Sequence, residues 1–166
     1  MLQAGAESNS ARLRSFLLPV FSAAIAVYIG VHAGPLVGTG SLQHASVLLG
    51  AKEAFLRRSG CDRLTALFHT SAALADQAAA AGVHTQLLAL LQADDPSVVA
   101  AAAAALAAFA KASPAAVQAL QGAPGLLALH GLAASQPVAG EPAGEAAART
   151  AAREALRAVG AITVFS

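Results

Sequence analysis

In a chain this short, chemistry would rest on a few side-chain types. The five histidines are His32, His44, His69, His84 and His130. A helix offers two ligands to one metal when they stand three or four positions apart, and no two of these histidines do. Cys61 is the only cysteine, which excludes an internal disulfide and a multi-cysteine metal site. Cys61 and His69 would meet only by coincidence of folding. Asp94 and Asp95 are adjacent carboxylates, the kind of pair that does acid–base or metal work. Pro96 follows them directly, and an acidic residue before a proline is how a helix begins. Gly38-Thr39-Gly40-Ser41 lacks the third glycine of a dinucleotide loop and the lysine of a phosphate-binding loop. No nucleophile elbow and no Ser/His/Asp set stands out. The expectation is a non-enzyme with no catalytic residues, no metal and no cofactor.

Binding is the remaining class of function, and the charged and small residues bear on it. Lys52, Arg57, Arg58 and Arg63 cluster within one helix and the turn after it. Arg149, Arg153 and Arg157 recur every fourth residue, with Glu145 four positions ahead, so they form one stripe of a helix that the acid supports. Each group reads either as a solvated face or as a contact for a partner or for anionic headgroups. Ser22, Ala26, Gly30 and Gly34 are also spaced by four. Small residues on one helix face let a second backbone approach closely, although a chain rich in alanine and glycine also produces such a stripe by chance. Net charge is +1, and these few cations would make too few phosphate contacts to hold nucleic acid. Tryptophan is absent and aromatics are 4% of residues, so a stacking platform for bases or sugars is not expected. No small-molecule substrate is indicated.

Elements must position these residues, and composition says which. Of 166 residues, 57% are hydrophobic, 47 are alanine and only 11% are charged, where about a quarter is usual. Alanine is the strongest helix former but fills a core poorly. The chain therefore points to helices with more apolar surface than they can hide, and away from disorder.

No charged side chain occurs between Arg14 and Lys52. Residues 1–15 form a polar segment. Residues 16–37, beginning FLLPVFSAAIAVYIGVHAGP, read as a transmembrane helix, close to the ~20 residues a span needs. Tyr28 and His32 lie toward its far end, where amphipathic rings reach an interface. The run also fits a buried or amphipathic helix, because proline and glycine interrupt it. A third reading is a cleaved export signal, since Val31-His32-Ala33 resembles a small-residue cleavage site.

Residues 38–166 change to short amphipathic helices punctuated by glycine and proline. Periodicity predicts a first helix from Thr39 or Ser41 to about Arg58, with Leu42, Ala45, Leu48, Leu49, Phe55 and Leu56 inward and Ser59-Gly60 closing it. Asp62 caps a second over about 63–81, with Leu64, Leu67, Phe68 and Leu74 inward and Gly82 as its stop. A third carries Leu87, Leu88, Leu90 and Leu91. Asp94-Asp95-Pro96 opens a fourth to about Ala112, and Ser113-Pro114 a fifth with Val117 and Leu120. Gly122 to Gly125 breaks the chain before Leu126, Leu127, Leu129 and Leu132. A loop follows over 134–144 and a last helix from about Pro142 to Val159. Only Ile162 to Phe165 is strand-like, so the fold class is all-α.

Gly82 to Ala110 reads GVHTQLLALLQADDPSVVAAAAAALAAFA and resembles an armadillo repeat: a glycine, a leucine-rich helix, an acidic or proline turn, then a helix in which Val98, Ala102, Ala105, Leu106, Phe109 and Ala110 fill the patterned positions. The resemblance extends over about 82–132, and a second copy, Ala152 to Val159, falls within 142–160. The copies stand 50 residues apart, and the loop over 134–144 accounts for the excess over the usual ~40–47. A degenerate earlier unit fits residues 42–81. The resemblance implies a short armadillo-like α-solenoid that binds other proteins. One departure matters: at Ala108 and Ala158 the family's peptide readers carry an asparagine that holds an extended peptide, so that activity is not implied here.

Units of this kind stack because no one of them buries its apolar face alone. A short stack beside an apolar run reads as a non-enzymatic, membrane-anchored accessory or scaffold subunit of an organelle complex, such as a respiratory assembly. Its partners would be other subunits and the lipid bilayer, in the mitochondrial inner membrane as first guess or a chloroplast membrane as the alternative. The competing reading is a soluble armadillo-like adaptor whose first helix packs on the repeats or on a partner. An enzyme whose site is assembled from several helices is the remote third.

Overall fold

A computed structural model describes residues 39–137 and 142–160. The chain divides into two units, Met1–Val37 and Gly38–Ser166, and everything described belongs to the second. The predicted membrane span over 16–37 and the strand-like tail at 162–165 lie outside the described residues. Among the described residues the structure is entirely helical, and no helix there is long and apolar enough to cross a membrane.

The eight helices are α1 (Thr39–Leu49), α2 (Ala54–Thr70), α3 (Ala72–Ala80), α4 (Val83–Leu90), α5 (Pro96–Ala112), α6 (Pro114–Gln121), α7 (Leu126–Ala134) and α8 (Ala143–Val159). Their starts follow local chemistry. Asp95 stands extended before α5, and its carboxylate accepts from the Ser97 amide at 2.8 Å, with Pro96 entering where a missing N–H costs nothing. Ser113 does the same for α6, accepting from the Ala116 amide at 3.1 Å ahead of Pro114. Gly82 and Gly160 take the left-handed conformation at φ 71° and 75°, which glycine adopts without steric cost.

Two predicted helices have the wrong bounds. The first predicted helix breaks at residues 50–53, and Ser59-Gly60 closes nothing: Gly60 is buried inside α2. A Cβ at Gly60 would come within 3.0 Å of the Ala45 carbonyl and the Leu48 Cβ, so this glycine is where α1 crosses closely over α2. Asp62 accordingly lies within α2 and caps nothing, and Phe55 points outward, 69% exposed. The second predicted helix splits at Ser71, which leaves helical geometry (φ −153°, ψ 113°) and lends its hydroxyl to the Leu74 amide at 3.4 Å.

Helices α2, α5 and α8 are each 17 residues long, and α5 lies between the other two. Its most extensive packing is against α8 and then α2. The shorter helices fill in around them, α1 on α2, α4 and α6 on α5, α3 on α6 and α7 on α8. The long helices bury the same pattern. Gly60, Cys61, Leu64, Leu67 and Phe68 of α2 correspond in spacing to Val98, Val99, Ala102, Ala105 and Leu106 of α5, and to Ala148, Arg149, Ala152, Ala155 and Leu156 of α8. All are buried except the half-buried Val99. Alanines at the α5–α8 seam let the backbones approach, and Phe109 fills the space beneath. Its ring lies 5.1 Å from that of Phe68 and 6.1 Å from the His84 imidazole, nearly parallel to the latter.

Candidate docking surface

The three long helices share one open groove of about 480 Å³. Thr65 and His69 come from α2, Ala104, Ala107, Ala108 and Lys111 from α5, and Ala146, Ala147, Thr150, Ala151 and Glu154 from α8. Its polar groups are mostly spent on the protein itself. The Thr65 hydroxyl donates to the Cys61 carbonyl at 2.9 Å and the Thr150 hydroxyl to the Ala146 carbonyl at 3.0 Å. Lys111 donates to Glu154 at 2.6 Å across the α5–α8 seam, and that hydrogen bond, with the lysine's charge behind it, holds the Glu154 carboxyl below its ordinary range. Both partners are about half exposed, so the pair fixes the groove wall more than it stabilises the fold. What remains is a floor of methyl groups. Ala108 is part of that floor.

Known proteins add nothing to this picture: no family model, no curated protein and no solved structure matches the chain.

The first basic cluster divides. Lys52 is exposed in the α1–α2 turn, and Arg58 is exposed one turn into α2, 3.8 Å from Asp62. Arg57 is half-buried, its Nε enclosed and without a hydrogen-bond partner, and Arg63 is half-buried. The second group is not the uniform outer stripe that its spacing suggested. Arg149 is buried beside Ala148, in a pocket of about 250 Å³ that Asp94 and Glu145 also line. It turns inward because Ala148 and Ala152, which flank it on α8, face α5. Arg153 donates from Nε to the Ala133 carbonyl at 2.9 Å, tying the end of α7 to α8. Arg157 is exposed, and its charge acts on Glu154. Ser22, Ala26, Gly30 and Gly34 lie outside the described residues.

The groups with reactive potential are placed apart. Cys61 is fully buried, and burial, with the Asp62 charge second, pushes its thiol up to about 12, so it carries no thiolate at neutral pH. His69 is exposed at the groove edge on the same helix. Asp95 is committed to its cap, and the bond from Ser97 holds its carboxyl below the ordinary range. Among the described residues no three histidine, cysteine or acidic side chains gather as a metal site. The sequence alone did not single out His84, whose spacing to other polar residues carries no motif. Burial lowers its pKa, and Nδ1 is enclosed without a hydrogen-bond partner.

Proposed function

We propose that residues 39–160 are a short armadillo-like stack of repeats acting as a non-enzymatic docking subunit, held at an organelle membrane by residues 16–37. The observation that carries the reading is the shared burial pattern of α2, α5 and α8 around one open, methyl-floored groove. Three helices repeating the same buried positions, the second and third each preceded by two shorter helices and the first by one, is the arrangement that stacked repeats produce. The membrane half of the proposal is carried by the sequence of residues 16–37.

The chemistry of the groove also selects its occupant. An extended peptide brings unpaired backbone donors and acceptors that need partners once buried, and alanine methyls supply none. A helix satisfies its own backbone. A partner helix with small apolar residues on one face therefore fits this groove, with Lys111 and Glu154 reading a charge at its edge.

Ala147→Arg tests this. Ala147 is exposed and lines the groove, so the substitution leaves the core alone and fills the groove with a long cation. Native gel electrophoresis of solubilised membranes should show the unmodified chain in a larger assembly and the variant released from it. An undisturbed assembly, with the variant folded by circular dichroism, overturns the groove as the docking surface. Carbonate extraction tests the anchor separately, and release of the full chain into the wash overturns it.

A further inference from the structure

Among the described residues three large hydrophobic side chains stand in water: Val47 at 73%, Phe55 at 69% and Leu127 at 80% exposed. Leu127 is alone on α7. Val47 and Phe55 flank the same turn, residues 50–53 between α1 and α2. Lys52 projects from that turn, and Arg58 follows Phe55 by three positions, on the same face of α2. From Lys52 to Asp62 the chain carries the exposed Lys52 and Arg58 and the half-buried Arg57 against Glu53 and Asp62, which leaves a positive surplus of one. Arg58 is barely neutralised by Asp62, since the two are 3.8 Å apart and both more than half exposed. Among the other described cations, Lys111 is engaged on Glu154, Arg153 on the Ala133 carbonyl, Arg149 is buried, and Arg157 is exposed with Glu154 near it.

We propose that the α1–α2 corner is a membrane-contact surface, in which Phe55 and Val47 enter the headgroup boundary of an anionic bilayer while Lys52 and Arg58 engage its headgroups. An aromatic ring between cations suits that boundary, where the ring leaves water and the charges stay among anionic groups. Charge complementarity favours this occupant, and so does shape: the exposed side chains stand on and beside a turn, and a fluid bilayer conforms to a projecting corner without needing a matched cavity. The inference rests on the membrane half of the proposed function and is independent of the groove. Lys52 follows Val37 by only 15 positions in the chain.

The chain contains no tryptophan, so Phe55→Trp in the full-length protein places a single indole at the corner. Its emission is read with vesicles of phosphatidylcholine, with and without phosphatidylserine, and with lipids brominated high on the acyl chain. The expected result is a blue shift and bromine quenching that grow with phosphatidylserine, and a loss of roughly fivefold in apparent vesicle affinity of that signal for each of Lys52→Gln and Arg58→Gln. An indole that stays water-exposed on vesicles overturns the proposal, and so does quenching indifferent to phosphatidylserine. A blue shift with polyglutamate and none with vesicles overturns it in favour of an acidic protein partner. If the chain resists carbonate extraction while the indole stays wet, the anchor stands and the corner falls. If carbonate releases the chain while anionic vesicles still quench the indole, the corner stands as a peripheral surface without the anchor.

Discussion

Helices α5 and α8 have the same length and the same buried register, yet they do different work. Ten residues of α5 are buried, eight of them alanine or valine, and its only charge is Lys111 near the C-terminal end. Helix α8 buries six residues, and its remaining faces carry Glu145, Arg153, Glu154 and Arg157. A helix apolar on all sides must be surrounded, and one with a single apolar stripe lies at an edge. α5 is thus the middle one of the three long helices and α8 one flank. The lesson is that alanine serves as a core residue here because the helices come close enough for methyl groups to meet, and the few large side chains then carry most of the volume.

The sharpest way to break the contrast is to remove that volume. Phe109 is fully buried against Phe68 and His84. Phe109→Ala should cost about 3–5 kcal/mol, measured by urea unfolding. Its register mate on α8, Val159, is also buried, but Val159→Ala removes two methyl groups instead of a ring and should cost clearly less. Equal losses would mean that α5 is not the more enclosed helix.

Adding volume sharpens the same comparison. Ala102 of α5 is fully buried in the seam, and Ala102→Leu should destabilise by about 1–3 kcal/mol as α5 is forced away from a neighbour. Ala147→Leu on the exposed side of α8 should fall within about 0.5 kcal/mol of the parent. Stability of Ala102→Leu equal to the parent would show that the helices are not closely packed there.

These two substitutions also show what was legible in the sequence. The α5 pattern, its acidic cap and its proline start could be read directly, because all the signals are local. The shared register of α2 was legible only as a degenerate unit over 42–81: Cys61, Leu64, Leu67 and Phe68 are spaced as the buried residues of α5 and α8 are, but they share no letters with those alanine-rich helices. Gly60 reads as a stop until its neighbour α1 is known, because a glycine at a close crossing and a glycine at a helix end look alike in one dimension. The groove was legible only in part. Ala108 was singled out for the asparagine it replaces, whereas Thr65, Ala104 and Ala147 reach the same surface from three helices and carry no signal of their own. The arginine stripe on α8 misled because a spacing of four fixes a shared face and leaves open whether that face meets water or protein.

The smallest expected effect concerns His84, which joins the enclosed side of the comparison to pH. Its imidazole stacks on Phe109, and Nδ1 is enclosed with no hydrogen-bond partner. Burial therefore favours the neutral ring and lowers the pKa from the ordinary 6.5. As pH falls through 6.5, the unfolded chain takes up this proton more readily than the folded one, so folding stability falls with it. The loss is complete once pH drops below the lowered folded value, and the contribution is fully present above 6.5. His84→Phe keeps a ring against Phe109 and removes the proton. The unmodified protein should lose thermal stability between pH 7 and 5, and the variant should lose less, after each is referred to its own value at pH 7. A slope that persists unchanged in His84→Phe would show that the enclosed imidazole under α5 is not the titrating group.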